Sequence, residues 1–339
     1  WIQLHTFQRV SHWLASSLAH PMFGMEIRCV MGAACFSLAL GNSAAPTVTI
    51  APGVNMPMLI LGTSVPDMFT YDNCSMQDAV EQWLKVGGRH VLTCVGRCYA
   101  SEPQIGRAWR ASGLPRNEVF ITTMVPEPVG RREVSDMILN VSMKNLGVDY
   151  IDLVLIKRAC VPSQHGPEYP DRCGNDSKDL RLATWQGLMD LRSSGKIRAA
   201  GVSNYNAEHI AEILARGERP AVNQVEWHLG FHDDDLLQQM RHWNVTLEGY
   251  GVLSGPTTLY GNPGVPLHDS RLIEVAHRYN VSAAQVVLQW TIAKGIAPIT
   301  ATCNAAHAAD DFKAFGFSLA AEDVAYLDSL KVQSSMVLM

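Results

Sequence analysis

No block of like charge interrupts the 339 residues, and charged side chains make up only 17% of them. A formal charge of -5 supplies no basic field to draw in a phosphate backbone, so nucleic acid is not an expected partner. Long hydrophobic runs are missing as well. The apolar stretch Cys29 to Leu40 is too short to span a bilayer, and no membrane span is expected in the mature chain. No C-x-x-C occurs, and Cys94 and Cys98 are separated by three residues without a matching second half, so no metal site is expected. No G-x-G-x-x-G follows the first strand candidate, which disfavours an open dinucleotide-binding sheet, where backbone must approach a pyrophosphate closely.

What is present is a large apolar fraction, 47%, enough for a sizeable core. The N-terminus divides from the rest. From Met25 to Ala45 the chain reads as a secretory signal: Arg28 closes a short basic region, an apolar run follows, and Gly41 to Ala45 offer small residues for cleavage. On that reading residues 1–24 are upstream leader, residues 25–45 the signal peptide and residues 46–339 the folded unit. The alternative is a disordered or mitochondrial-type extension, given Arg9, Ser11, His12 and Ser16-Ser17, which would place the protein in the cytoplasm or an organelle. Sequons at Asn73, Asn140, Asn175, Asn244 and Asn280 favour the secretory route and a glycoprotein. So does the even set Cys74, Cys94, Cys98, Cys160, Cys173 and Cys303 that follows Ala45, compatible with disulfides. Cys160 and Cys173 bracket a loop rich in Pro and Gly and are the first pairing expected. Free buried thiols are the alternative.

Beyond Ala45, short β-branched runs alternate with longer amphipathic segments, the rhythm of parallel strands joined by helices. The strand candidates are Met56–Gly62, His90–Cys94, Val119–Val125, Ile151–Lys157, Ala199–Asn204, Ala221–His228, Val245–Val252 and Ala297–Thr302. Ser75–Val86, Arg131–Leu146, Lys178–Ser193 and Ala283–Lys294 carry apolar residues at i, i+3 and i+4, as helices do. Eight alternations predict a closed (β/α)₈ TIM barrel. Thr47–Val54, with its Pro52-Gly53 turn, supplies half of an N-terminal hairpin across the barrel floor. Chemistry is then expected at the C-terminal ends of the strands.

Ordered motifs run along this alternation, into the strands, at their ends and in a late helix. They include Met56 to Thr63, Gly88-Arg89-His90, Leu146 to Leu153, Gly195 to Tyr205, Asn223 to Glu226 and Ala283 to Trp290. In this order and spacing, over about residues 53–331, the chain resembles the aldo-keto reductases. The resemblance implies an NADPH- or NADH-dependent oxidoreductase acting on small carbonyl compounds, expected as a monomer. In that family a tyrosine protonates the carbonyl oxygen, helped by a lysine held by an aspartate, while a histidine orients the substrate. Tyr99 matches the tyrosine, two residues further from the strand end than the family spacing. The aspartate, lysine and histidine positions fall on Leu92, Met124 and Lys157.

Loss of both members of a buried ion pair to apolar residues is what a core repacked after relaxed selection would look like, since losing one alone would strand a charge. This points to weak or altered activity, or to a pseudoenzyme barrel serving as a binding or structural module. Tyr99 with Lys157, whose cation could lower the phenol's pKa, is the catalytic pair to examine. The alternative for Lys157 is a stem that packs while its head reaches solvent. The resemblance also implies a cofactor site made of Gly62, Thr63, Ser203, Asn204, Gln224, Tyr250, Leu253 and Thr302. Ser203, Asn204 and Gln224 would hold a nicotinamide carboxamide and Tyr250 would stack on its ring, unless these side chains serve folding alone. The phosphate-gripping lysine and arginine correspond to Ala301 and His307, and the family's glutamate and asparagine to Asp310 and Asp311. That half is expected to grip NADPH poorly.

Overall fold

The computed structural model describes residues 45–63, 74–96, 100–160, 177–253 and 263–330. The predicted leader, the signal peptide apart from its last residue Ala45, and Cys173 lie outside these residues. A two-stranded hairpin opens the fold, β1 (Thr47–Ala51) pairing antiparallel with β2 (Val54–Pro57). Eight strands follow: β3 (Ile60–Gly62), β4 (His90–Leu92), β5 (Phe120–Val125), β6 (Ile151–Ile156), β7 (Ile197–Ser203), β8 (Val222–Glu226), β9 (Thr246–Tyr250) and β10 (Ala297–Thr300). Each pairs in parallel with its sequence neighbour, and β10 returns to β3 to close the barrel. The predicted TIM barrel with an N-terminal hairpin is the architecture observed.

The helices that wrap the barrel are α1 (Met76–Lys85), α2 (Glu102–Ser112), α3 (Arg131–Asp136), α4 (Met143–Leu146), α5 (Ser177–Ser193), α6 (Ala207–Leu214), α7 (Asp234–His242), α8 (Ser270–Tyr279), α9 (Ala283–Ala293), α10 (Ala305–Phe312) and α11 (Ala321–Asp328). Their starts are marked in the sequence. Ser75 and Ser282 form reciprocal capping boxes with Asp78 and Gln285, satisfying backbone donors that the first turn leaves open. Asn244 and Asn280 follow α7 and α8 in left-handed conformations, with φ of 56° and 54°, which asparagine tolerates better than other residues with side chains. Both are exposed. No helix among the described residues is long and apolar enough to cross a membrane.

Two cores result from strand alternation. Side chains pointing outward join the helices in one layer, which buries Trp83, Trp185, Trp227 and Trp290. Side chains pointing inward, among them Met58, Ile60, Leu92, Met124, Leu153, Leu155 and Ile299, fill the barrel.

One expected element divides differently. Met56–Gly62 is not a single strand, because Met56 and Pro57 belong to the hairpin, opposite Val48 and Thr47, and only Ile60–Gly62 enters the barrel. Pro57 has no N–H to give a ladder, while its carbonyl lies 3.0 Å from His90 Nδ1, so the chain turns onto the floor there. The hairpin is fastened by Arg198, which donates to the Gly53 carbonyl and pairs with buried Asp152. Asp152 also pairs with Arg116 and accepts from the Ile121 amide.

Candidate functional site

The parallel barrel puts the C-terminal strand ends at one mouth, and β6 to β9 supply most of its polar groups. Asn204, just past β7, sits at φ 59°, a backbone state that turns its side chain back across the strand ends. Its Nδ2 donates to the Lys157 carbonyl at 2.9 Å and to Ser203 Oγ at 3.1 Å, while its Oδ1 accepts from Tyr250 hydroxyl at 2.9 Å. Ser203, Asn204, Lys157 and Tyr250 are thus brought together by one asparagine. Gln224, opposite Ser203 in register, points its Nε2 at Glu248 Oε2, 2.7 Å away.

Glu248 is wholly buried, its other oxygen has no hydrogen-bond partner among the described residues, and burial pushes its carboxyl up to about 7 against the opposing pull of the Gln224 amide. Above this pair Glu226 lies opposite Tyr250, and its Oε1 is 3.1 Å from the buried His228. Lys157 ends the run begun by β6. Burial, then the neighbouring Arg158 charge, lowers its ammonium to about 8. Tyr99, its expected partner, lies outside the described residues.

The remaining predicted positions are less open. Gly62 is required by packing, since a Cβ there would stand 2.9 Å from Ile299 Cγ2. Thr63 spends its hydroxyl on the Leu92 carbonyl at 2.8 Å and on Ser101 Oγ at 2.9 Å, and Ser101 continues to Thr93 at 2.8 Å. Leu253 packs against the outer core. Leu92 and Met124, the residues expected at the family's aspartate and lysine positions, share the inner apolar cluster and are both buried.

At the last strand, Thr302 Oγ1 accepts from the Asn304 amide at 3.0 Å, and Asn304 Oδ1 accepts from the amides of Ala306 and His307. Those donors at the start of α10, which could have met a phosphate, are already engaged. Asp310 faces away, accepting from Ser282, Gln285 and Lys313, and Asp311 is buried with its carboxyl raised to about 7, first by burial and then by Asp310.

A disulfide joins Cys74, before α1, to Cys303, between β10 and α10, with Cα atoms 6.2 Å apart. Cys94 and Cys160 are also disulfide-bonded, to partners outside the described residues, where the expected Cys160–Cys173 pairing falls. Among the described residues no cluster of three or more His, Cys, Asp or Glu side chains could hold a metal. A cavity of about 300 Å³ lined by Ile50, Pro52, Arg192 and Arg219 lies under the hairpin, at the end opposite the mouth. Its lining includes none of the mouth residues, so the barrel's chemistry is read from the mouth.

The Aldo/keto reductase family model matches residues 59–332. The chain belongs to this family. An aldo-keto reductase of Mycolicibacterium smegmatis is 31% identical over 292 residues, covering 86% of this chain and 93% of its own. The 9,11-endoperoxide prostaglandin H2 reductase of Trypanosoma cruzi is 31% identical over 284 residues, covering 84% and 90%. The crystal structure of a Bombyx mori aldo-keto reductase in complex with NADP superposes with a TM-score of 0.73 at 28% identity, covering 84% of this chain and 92% of that one.

Within this aldo-keto reductase, two features of the mouth go unnoticed in the sequence. Glu248 belongs to none of the motifs read from the sequence, and the period of two in Thr246–Tyr250 sets it on the same face as Tyr250. The Cys74–Cys303 bridge spans 229 residues, and no local spacing points to it.

Proposed function

We propose that this family member is an oxidoreductase that binds NADH and NADPH with little preference and turns over small carbonyl compounds weakly or with altered specificity. The observation that carries the proposal is the convergence at the mouth of Ser203, Asn204 and Tyr250, joined by hydrogen bonds, with Gln224, which lies beside Ser203 in register and donates to Glu248. These residues fit a nicotinamide carboxamide and ring. The adenosine-phosphate end does not fit NADPH as well: Ala301 and exposed His307 offer no permanent cation, and Asn304 occupies the helix amides. When bound, the dinucleotide would supply hydride. Lys157, with an ammonium lowered to about 8, would hold or release a proton near neutral pH at the place where the substrate oxygen is expected, with Tyr99 as the acid.

The second reading, a non-catalytic barrel that binds a ligand or partner, is favoured by Leu92 and Met124. Apolar burial at both positions removes the electrostatic help that a phenol needs, each such group being typically worth ~10² or more in rate. The disulfide state of every described cysteine supports an oxidising, secretory compartment for either reading.

Titration with NADPH and NADH, followed by Trp fluorescence and thermal unfolding, tests the proposal. A ligand bound only to the folded state at a hundred times its Kd stabilises by about 2.7 kcal/mol. Saturable stabilisation by both, with affinities within about tenfold of each other, is the expected result, since the charge-assisted bonds that would favour the 2′-phosphate are missing. A carbonyl panel with a Tyr99→Phe control then reads turnover. No response to either dinucleotide at millimolar concentration would overturn the proposal in favour of the non-catalytic barrel.

A further inference from the structure

We propose that Glu248 is a positioning residue that decides which end of the Gln224 amide the protein consumes, and so whether the mouth offers a bound group an acceptor or a donor. Gln224 and Glu248 are directly paired on β8 and β9, both buried, with Ser203 on the far side of Gln224 and Ala297 on the far side of Glu248. Neither flanking residue bonds to the pair, so Gln224 and Glu248 are each other's sole hydrogen-bond partner among the described side chains.

A carboxylate can only accept, so the ionised Glu248 takes the NH2 of Gln224 and leaves the amide oxygen as the end not used by the protein. The orientation of a glutamine amide follows from such a partner rather than from its shape. A protonated Glu248 has one O–H to give. It can donate to the Gln224 oxygen, the amide then turning over to present its NH2. The fully buried Oε1 of Glu248, with no partner of its own, leaves nothing else to hold the carboxyl in one state.

The change of state falls in an accessible range, because burial raises the Glu248 carboxyl to about 7. At the mouth ends of the surrounding strands the charged groups are Glu226, turned to His228, and Lys157 just past β6, while Asp152 and Arg198 on β6 and β7 pair with each other toward the hairpin. None of these governs Glu248, whose ionisation is set by burial and by the Gln224 amide.

The inference about ligand rests on the nicotinamide reading above. A primary carboxamide brings an NH2 that the free Gln224 oxygen can accept, whereas a 3-acetylpyridine ring brings only an acceptor. With Glu248 ionised, the mouth should discriminate in favour of NADH over its 3-acetylpyridine analogue by about tenfold, the worth of one neutral hydrogen bond. With Glu248 protonated, the discrimination should vanish.

Two measurements separate the positioning claim from the cofactor claim. In the ligand-free protein, the side-chain amide NMR signals of Gln224, assigned by their loss in Gln224→Leu, should shift through one transition near pH 7. The shift should be absent in the isosteric Glu248→Gln, with Glu248→Leu as a second variant should the first fail to fold. A Gln224 signal that ignores pH from 5 to 9, or a transition that survives both substitutions, would overturn the proposal. In the second measurement, the ratio of NADH to analogue affinity should rise about tenfold from pH 5.5 to 8.5 in the wild type and stay flat in the variant. A flat wild-type ratio overturns the ligand part. If neither dinucleotide binds while the NMR transition is present, the nicotinamide reading fails and the role of Glu248 stands.

Discussion

Leu92 and Met124 lie in one inner apolar cluster, at 3% and 1% exposure, so a charge introduced at either would be almost wholly withdrawn from solvent. Leu92→Asp or Met124→Lys alone should therefore cost about 3–5 kcal/mol in urea unfolding, the usual cost of an unpaired buried charge. The double variant should cost less than the sum, by 0.5–3 kcal/mol if the two charges meet. Strict additivity would show that the barrel has closed around the apolar pair in a geometry that no longer brings these positions together. Both substitutions were legible in the sequence, because motif spacing names the position whatever residue fills it. Glu248 was not, because only the face that β9 turns inward decides whether its carboxylate meets water or Gln224.

At the scale of elements, periodicity found the strands and the main helices, while the partition between hairpin and barrel depended on tertiary pairing. The sequence 56–62 is apolar throughout, so alternation could not reveal that Met56 faces Val48 in one sheet while Leu61 faces Val91 in another. Arg131–Leu146, read as one helix, contains a π-helical turn at Met137–Ser142. Buried Ser142 at its end donates to Glu102, which also accepts from Thr123, so a contact distant in sequence coincides with the irregular turn. The long-range bridge Cys74–Cys303 ties the entry of α1 to the segment before α10. Closing a loop across 229 residues restricts the unfolded chain by up to about 5 kcal/mol on the chain-entropy view. A Cys74→Ser, Cys303→Ser double variant is expected to melt at lower temperature and to exchange amide hydrogens faster around the Asn304 cap. An unchanged melting temperature would mean that the mouth is held by the barrel alone.

Across the whole molecule, three buried ionisable groups set opposing dependences of stability on pH. His90, sealed between the Pro57 carbonyl and Thr122, is lowered by burial to about 3. Between that value and its ordinary 6.5 the unfolded chain binds the extra proton, so this group makes stability rise with pH and its contribution is complete above 6.5. Glu248 and Asp311 act the other way. Both are raised to about 7 from 4.5 and 3.8, so the folded protein holds the extra proton, and the stability they contribute at low pH is lost as pH climbs through 7. Each group can contribute a slope of at most about 1.4 kcal/mol per pH unit. From pH 4.5 to 6.5 two falling slopes meet one rising slope, and from 6.5 to 7 the falling pair acts alone. The urea midpoint should therefore drop between pH 5 and 7.5 and climb again above about pH 8, where Lys157, lowered by burial from 10.5 to about 8, adds a rising slope. Glu248→Gln and Asp311→Asn should each flatten part of the drop, and together should leave a midpoint that rises with pH as His90 demands. A wild-type midpoint that is level across this range, or variants that fall in parallel with it, would show that the two carboxyls are neutralised by something other than their own protons.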